Sequence, residues 1–278
     1  MDLPGSHKSS QPVVLITGGS TGIGASCVRE FLAAGWKVSV VALPDSYLDW
    51  LTSLGIAVTA GDITSERIRE KAVHQTLASY SRIDVLINNA GVGLYALPTE
   101  VPSALFSQLL EVNVVAPLAM AQLAIPVMLD QGFGTIVTMG SVAARVALPW
   151  AAAYSASKSA LDSVHDSLRI ELRGRPIHLL KICPGIVDTR FRNHVLRGQP
   201  PEPVRAIRYI VSPDALAAAI FRAVKRRRKT LYMPAIGRLF NLLGVLAPPL
   251  MDFCLGRLLP SSEPSVRFPG RGRSSNGR

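Results

Sequence analysis

The chain has 278 residues, 48% of them apolar and 18% charged, enough to bury one large core and too apolar to remain disordered. Its net charge of +11 suits an anionic ligand, a phospholipid surface or nucleic acid, and does not choose among them. The three cysteines, Cys27, Cys183 and Cys254, are odd in number and widely spaced. That excludes a disulfide framework and a metal-site spacing, and points to a reducing compartment.

Residues 1–11 contain no apolar run, so they are expected to form a disordered lead and not a secretory signal. Six short apolar runs of strand length follow, at 12–17, 37–42, 56–60, 84–88, 134–139 and 177–183. Helix-length segments separate them. Continuous apolar strands are buried on both faces, and strand–helix–strand repetition implies a parallel sheet with helices on both sides. The expectation is a single α/β domain over 12–235, a doubly wound, Rossmann-type sheet.

The first strand runs into "TGGSTGIG", with Gly18, Gly22 and Gly24 ahead of the helical "ASCVREFLAAG". Glycines at such a turn permit close backbone approach and expose helix N-terminal N–H groups, a cradle for a pyrophosphate. Further along, "YSASK" places Tyr154 and Lys158 four residues apart, on one face of any helix they occupy. A free tyrosine titrates near 10, too high for a base at neutral pH, and a neighbouring ammonium favours its phenolate. Taken singly, each residue could equally be ordinary packing or a solvated surface group.

The glycine spacing, "NNAG" at 88–91, Ser141 in "GSVAA", "YSASK" at 154–158 and "PGIVDT" at 184–189 occur in one order. Together they resemble the classical short-chain dehydrogenase/reductase family over about residues 12–235. The resemblance implies an NAD(P)-dependent oxidoreductase acting on CH–OH groups. It makes Tyr154 the general acid/base and a coenzyme contact, and Lys158 its electrostatic partner and a ribose ligand. Ser141 becomes the oxyanion donor, and Asn113 in "EVNVVAPL" the support of a relay water. It further implies coenzyme contacts from Gly18, Ser20, Thr21, Gly22, Ile23 and Gly24, from Asp62 and Ile63 at the adenine, and from Asn89, Ala90 and Gly91. Pro184, Gly185, Ile186 and Thr189 would wrap the nicotinamide and diphosphate. No metal is implied.

Coenzyme choice is left open by the family's markers. The second strand ends in Ala42, Leu43 and Pro44, and Thr21 precedes Gly22, so neither an acidic nor a basic marker is present. Without a carboxylate to repel a 2′-phosphate, and with excess positive charge, the lean is to NADP, opposed by nearby Asp45.

Residues 190–212 form a proline-rich segment expected to act as a substrate loop, before a helix that Ser212 would cap with Pro213 at its first position. Leu94, Tyr95, Val142, Leu148, Pro149 and Trp150 flank the centre. They would make a pocket for a lipophilic ketone, aldehyde or alcohol, or else pack the core. After "KRRRK" at 225–229 comes an apolar stretch, 236–260, interrupted by Arg238, Pro248, Pro249, Asp252 and Arg257. It is too broken to span a bilayer. It reads as short helices that contact a membrane surface, cap the pocket or mediate assembly. Residues 261–278 read as a disordered tail. A cytoplasmic homo-oligomer is expected, with no nucleic-acid partner, since one basic cluster without a recognition element makes a redox-sensing regulator the weaker reading. A catalytically silent, membrane-associated scaffold is the other alternative, which an intact Ser141, Tyr154 and Lys158 argue against.

Overall fold

The computed structural model describes residues 11–44, 48–146, 148–189, 191, 194–198 and 210–258. The expected lead apart from Gln11, the expected tail, Asp45 and most of the substrate loop lie outside the described residues.

Seven strands form one sheet: β1 (Val13–Thr17), β2 (Lys37–Ala42), β3 (Ala57–Ala60), β4 (Val85–Asn88), β5 (Gly134–Met139), β6 (Ile177–Pro184) and β7 (Thr230–Met233). Their order is β3-β2-β1-β4-β5-β6-β7, and every pairing is parallel. The order reverses between β1 and β4, and a ligand crevice opens at such a point, beyond the carboxyl ends of the strands.

Burial of both faces explains the uninterrupted apolar runs, because alternate side chains of one strand serve two cores. In β1, Val14 and Ile16 face a cluster with Phe31 of α1 (Gly22–Ala33) and Ile220 of α7 (Pro213–Lys225). Phe31, Trp36 and Phe221 meet edge to face there, with centroids 5.1 to 6.1 Å apart. Leu15, the residue between, faces Ala72 of α3 (Glu66–Tyr80) and Met120 of α5 (Ala116–Gln131). Ser212 caps α7 as the sequence predicts, accepting from Ala215 N at 3.1 Å, with Pro213 at the first position.

Residues Ser103–Gln131 run as one helix: α4 (Ser103–Leu110), a π turn (Glu111–Val115) and α5. By length and composition it could cross a membrane, yet Met120, Ala121, Ala124 and Met128 are core residues against the sheet. The remaining helices are α2 (Asp49–Ser53), α6 (Ala152–Glu171), α8 (Gly237–Leu246) and α9 (Pro248–Leu258). The last two give 236–260 the paired short helices its composition predicts.

Candidate active site

The turn after β1 uses glycine where no other residue fits well. Gly18 and Gly22 have φ of +67° and +55°, a region that L side chains avoid. The turn delivers the chain into α1 with its amino end bare: Thr21 makes no side-chain cap, and the first turn carries no acid. Unpaired N–H groups and the positive end of the helix dipole therefore face the crevice, which fits the diphosphate of a dinucleotide.

Gly18, Ser20, Thr21, Gly22, Ile23, Asp62, Ile63, Asn89, Ala90, Gly91 and Thr189 line that crevice, as the motifs predict. Asn89 fixes its floor, donating from Nδ2 to the carbonyls of Thr17 and Gly18, both at 3.0 Å. Asp62 holds its own turn by accepting from Thr64 N at 2.9 Å. Six predicted coenzyme contacts are not on this wall: Tyr154 and Lys158, described below, and four others. Gly24 lies beneath Gly18 and not on the wall. Pro184 continues the ladder opposite Met233, Gly185 donates its N–H to Met233 O at 2.9 Å, and Ile186 is 37% exposed. The wall also includes Ala42 and Leu43, read from the sequence as the coenzyme-choice positions, Phe191, His194 and Leu196 of the expected substrate loop, and Val41, Gln108 and Val112, for which no role was predicted.

Four polar residues predicted from the motifs converge around the start of α6. Ser141 ends the segment after β5 and accepts from Ala143 N at 3.1 Å. The Ser141 hydroxyl also acts on the Tyr154 phenol, favouring its ionised form. Burial pushes that phenol up to about 12, and the Ser141 hydrogen bond draws it back. Tyr154 and Lys158 occupy one face of α6, with Lys158 Nζ 5.9 Å from the tyrosine ring centroid. Lys158 is buried and donates to Met139 O at 2.9 Å. A Cβ on Gly91 would come within 3.7 Å of its Nζ, so the ammonium borders the crevice wall. Burial lowers Lys158 to about 8, opposed by the charge of Asp162 one turn along α6.

Asn113 sits in the π turn, fully buried. Its side chain is committed to protein partners: Oδ1 accepts from Val92 N at 2.9 Å, and Nδ2 donates to Val92 O and Ser157 Oγ, each at 3.0 Å. Ser157 Oγ in turn donates to Tyr154 O at 2.7 Å. The asparagine thus clamps the turn of α6 that carries the tyrosine, a connection that spacing along the chain does not reveal.

Tyr154 is flanked by Tyr95 and Phe191, at centroid distances of 5.9 and 6.1 Å. Of the residues expected to form an apolar pocket, Leu94 is fully buried in a small core cluster. Val142, Leu148 and Trp150 are half-buried and Pro149 is exposed.

Behind the site lies a buried charge cluster without a signature in the motifs. Asp162 Oδ2 pairs with Lys181 Nζ at 3.2 Å and with Arg145 Nε at 3.9 Å, and Lys181 also reaches Asp166 at 3.2 Å. His165 lies beside it, 2% exposed. Its Nδ1 is 2.9 Å from Thr138 Oγ1, and its Nε2 has no partner among the described residues. Burial, reinforced by Lys181, lowers His165 to about 4. The unfolded chain then binds more protons between about pH 4 and the ordinary histidine value near 6.5, so stability rises with pH across that window. Falling from pH 7 to 4 should remove about 3 kcal/mol through this group. Urea titrations over that range check it: His165→Gln should flatten the dependence, and an unchanged slope would show that His165 is not its source.

Both buried cysteines, Cys27 and Cys183, are free, and burial pushes each up to about 12, so neither is a nucleophile at neutral pH. No metal-binding cluster occurs among the described residues.

Comparison with known proteins gives the family. The sequence profile described as short chain dehydrogenase matches residues 12–200. Dehydrogenase/reductase SDR family member 7B of Danio rerio is 28% identical over 240 residues, 81% of this chain and 78% of that one. A short-chain dehydrogenase from Streptomyces avermitilis superposes with a TM-score of 0.76 at 26% identity, over 89% of this chain and 98% of that one. The 3-ketoacyl-(acyl-carrier-protein) reductase of Brucella melitensis, solved with NADH, gives 0.72 at 26% identity, over 80% and 96%. With the parallel sheet, the glycine turn and this coverage, the chain belongs to the short-chain dehydrogenase/reductase family and is an NAD(P)-dependent oxidoreductase.

Proposed function

We propose that the enzyme interconverts a lipophilic ketone or aldehyde and its alcohol, with Tyr154 as general acid/base. The bound nicotinamide coenzyme supplies or accepts the hydride. The carrying observation is the placement of Tyr154 between the Ser141 hydroxyl and the Lys158 ammonium, where the coenzyme crevice meets two aromatic side chains. In the reducing direction Tyr154 gives its proton to the carbonyl oxygen while Ser141 donates to the same oxygen, stabilising charge that develops there. Below about pH 8 Lys158 is charged, which favours the phenolate left behind. The main chain of Asn113, in a π turn whose carbonyls are displaced from helical register, holds the water that returns the proton.

The tyrosine and phenylalanine beside Tyr154 support a lipophilic substrate, because they bring apolar area to the reacting centre. NADP is the preferred coenzyme in this reading. Its support is a β2 end formed by Ala42 and Leu43 on the crevice wall, with no carboxylate among the described residues there to repel a 2′-phosphate; Asp45 lies outside them. Homo-oligomerisation is carried over from the family resemblance, a cytoplasmic location from the cysteine pattern, and closure of 190–212 over the substrate from the length of that segment; residues 236–260 make a peripheral membrane contact.

Oxidation of NADPH and NADH by the purified enzyme, against a panel of long-chain and cyclic ketones and aldehydes, tests the assignment. The expected result is turnover that rises with the apolar bulk of the carbonyl and is at least tenfold faster with NADPH. Faster turnover with NADH overturns the coenzyme preference. A panel that stays silent while both coenzymes bind overturns the substrate class.

A further inference from the structure

Helix α8 is built inside out. In an ordinary surface helix the large apolar side chains face the body and the polar ones face water. In α8 the buried residues are Gly237 and Asn241, while Leu239, Phe240, Leu242, Val245 and Leu246 are 44% to 72% exposed. The inward residues are small for a reason: a Cβ on Gly237 would meet Val142, and one on Gly244 would strike the carbonyl of Arg145. The helix therefore lies flat on residues 142–146, with glycine allowing the approach and its apolar side chains turned away. In α9, Met251 points inward at 5% exposure, and Leu250 and Phe253 continue the outward face at 50% and 56%.

Such a contiguous apolar face is an interaction surface. We propose that it docks on an anionic phospholipid surface, with both helices lying in the interface. Length supports lying over spanning: helices of 10 and 11 residues, at about 1.5 Å rise per residue, are each about half as long as the hydrocarbon core is thick.

Charge selects the occupant. The chain carries +11. Arg238 is exposed at the start of α8, and residues 236–258 carry Arg238 and Arg257 against the one acid Asp252. Two copies meeting through this face would bring like charges together, whereas an anionic bilayer neutralises them and buries the leucines and phenylalanines at once. The basic run 225–229 is not part of this surface. It lies at the opposite end of β7 from α8, because Lys229 leads into that strand and Met233 leaves it.

Position gives the surface a purpose. The segment under α8 begins at Val142, directly after Ser141, so the docked helix packs next to the active-site serine. A lipophilic carbonyl dissolved in the bilayer would reach Tyr154 without crossing water. This last step rests on the substrate class proposed above; the docking itself rests on the two helices.

Flotation of the full-length protein with vesicles of phosphatidylcholine alone, and of phosphatidylcholine mixed with phosphatidylserine, tests it. The expected result is co-flotation with the mixed vesicles, at least tenfold weaker without phosphatidylserine and weakened by salt. The double variant Leu242→Ser/Leu246→Ser should lose that binding at least tenfold while turning over a short, water-soluble carbonyl at the wild-type rate. Protein that stays unbound with the mixed vesicles overturns the proposal, as does binding that the double variant leaves intact. A wild-type dimer that the variant converts to monomer, with no vesicle binding, also overturns it and assigns the face to a second copy. Vesicle binding alongside a silent carbonyl panel would leave the surface standing and remove only the substrate class.

Discussion

Tyr154→Phe should lower kcat by on the order of 10²- to 10⁴-fold, the range that a positioned general acid/base contributes, and leave coenzyme affinity within about threefold of wild type. The split follows from what the hydroxyl touches. Its polar neighbour is Ser141, and the coenzyme crevice is walled by other residues, from Gly18 to Thr189. Phenylalanine keeps the ring contacts with Tyr95 and Phe191, and Ser141 retains the Ala143 N–H, so the fold has no reason to respond. Fluorescence titration of the reduced coenzyme, steady-state rates and a thermal melt separate the outcomes. Turnover above a tenth of wild type would remove Tyr154 from the acid/base role. An unchanged melt with lost coenzyme binding would make its hydroxyl a binding group instead.

The sequence revealed most where structure is local or repetitive. All six apolar runs became strands because a parallel sheet covered on both faces leaves no polar alternation to obscure them, and the apolar, partly β-branched run 230–233 became the seventh. The glycine turn was legible for a similar reason, since strand, turn and helix follow one another along the chain. What escaped depends on contacts between distant segments. Nothing near Asn113 announces a π turn, or that its amide reaches Val92 and Ser157. The carboxylate of Asp162 is four residues beyond Lys158, but the lysine that pairs with it comes from β6. Phe191 was read only as part of a loop, and its place against Tyr154 comes from the fold. The outward face of α8 was hidden for another reason: composition shows that 236–260 is apolar, and only packing shows that glycine and asparagine take the inner positions.

Gly24→Ala should weaken binding of either coenzyme by at least 100-fold, about 3 kcal/mol, through a clash that has no easy release. A Cβ at this position would overlap the carbonyl oxygen of Gly18 and lie 2.7 Å from Nδ2 of Asn89. Both neighbours are fixed. Gly18 donates its own N–H to Val41 O at 2.7 Å, and Asn89 Nδ2 is held between two carbonyls. Backbone cannot swing aside as a long side chain can, so α1 must move away from the turn. Displacing α1 moves the bare helix terminus that faces the diphosphate, and pulls at the Phe31, Trp36 and Phe221 packing on its far side. Alanine is otherwise a better helix former than glycine, so a stabilised protein with full coenzyme affinity would show that the close approach is absent. The variant could also fail to fold. Gly35→Ala supplies the contrast, because its Cβ would meet nothing within 4 Å although its φ is +79°. It should lower the melting temperature modestly and leave coenzyme titration unchanged. If the two substitutions weaken binding equally, the effect belongs to general destabilisation and not to the turn beneath the diphosphate.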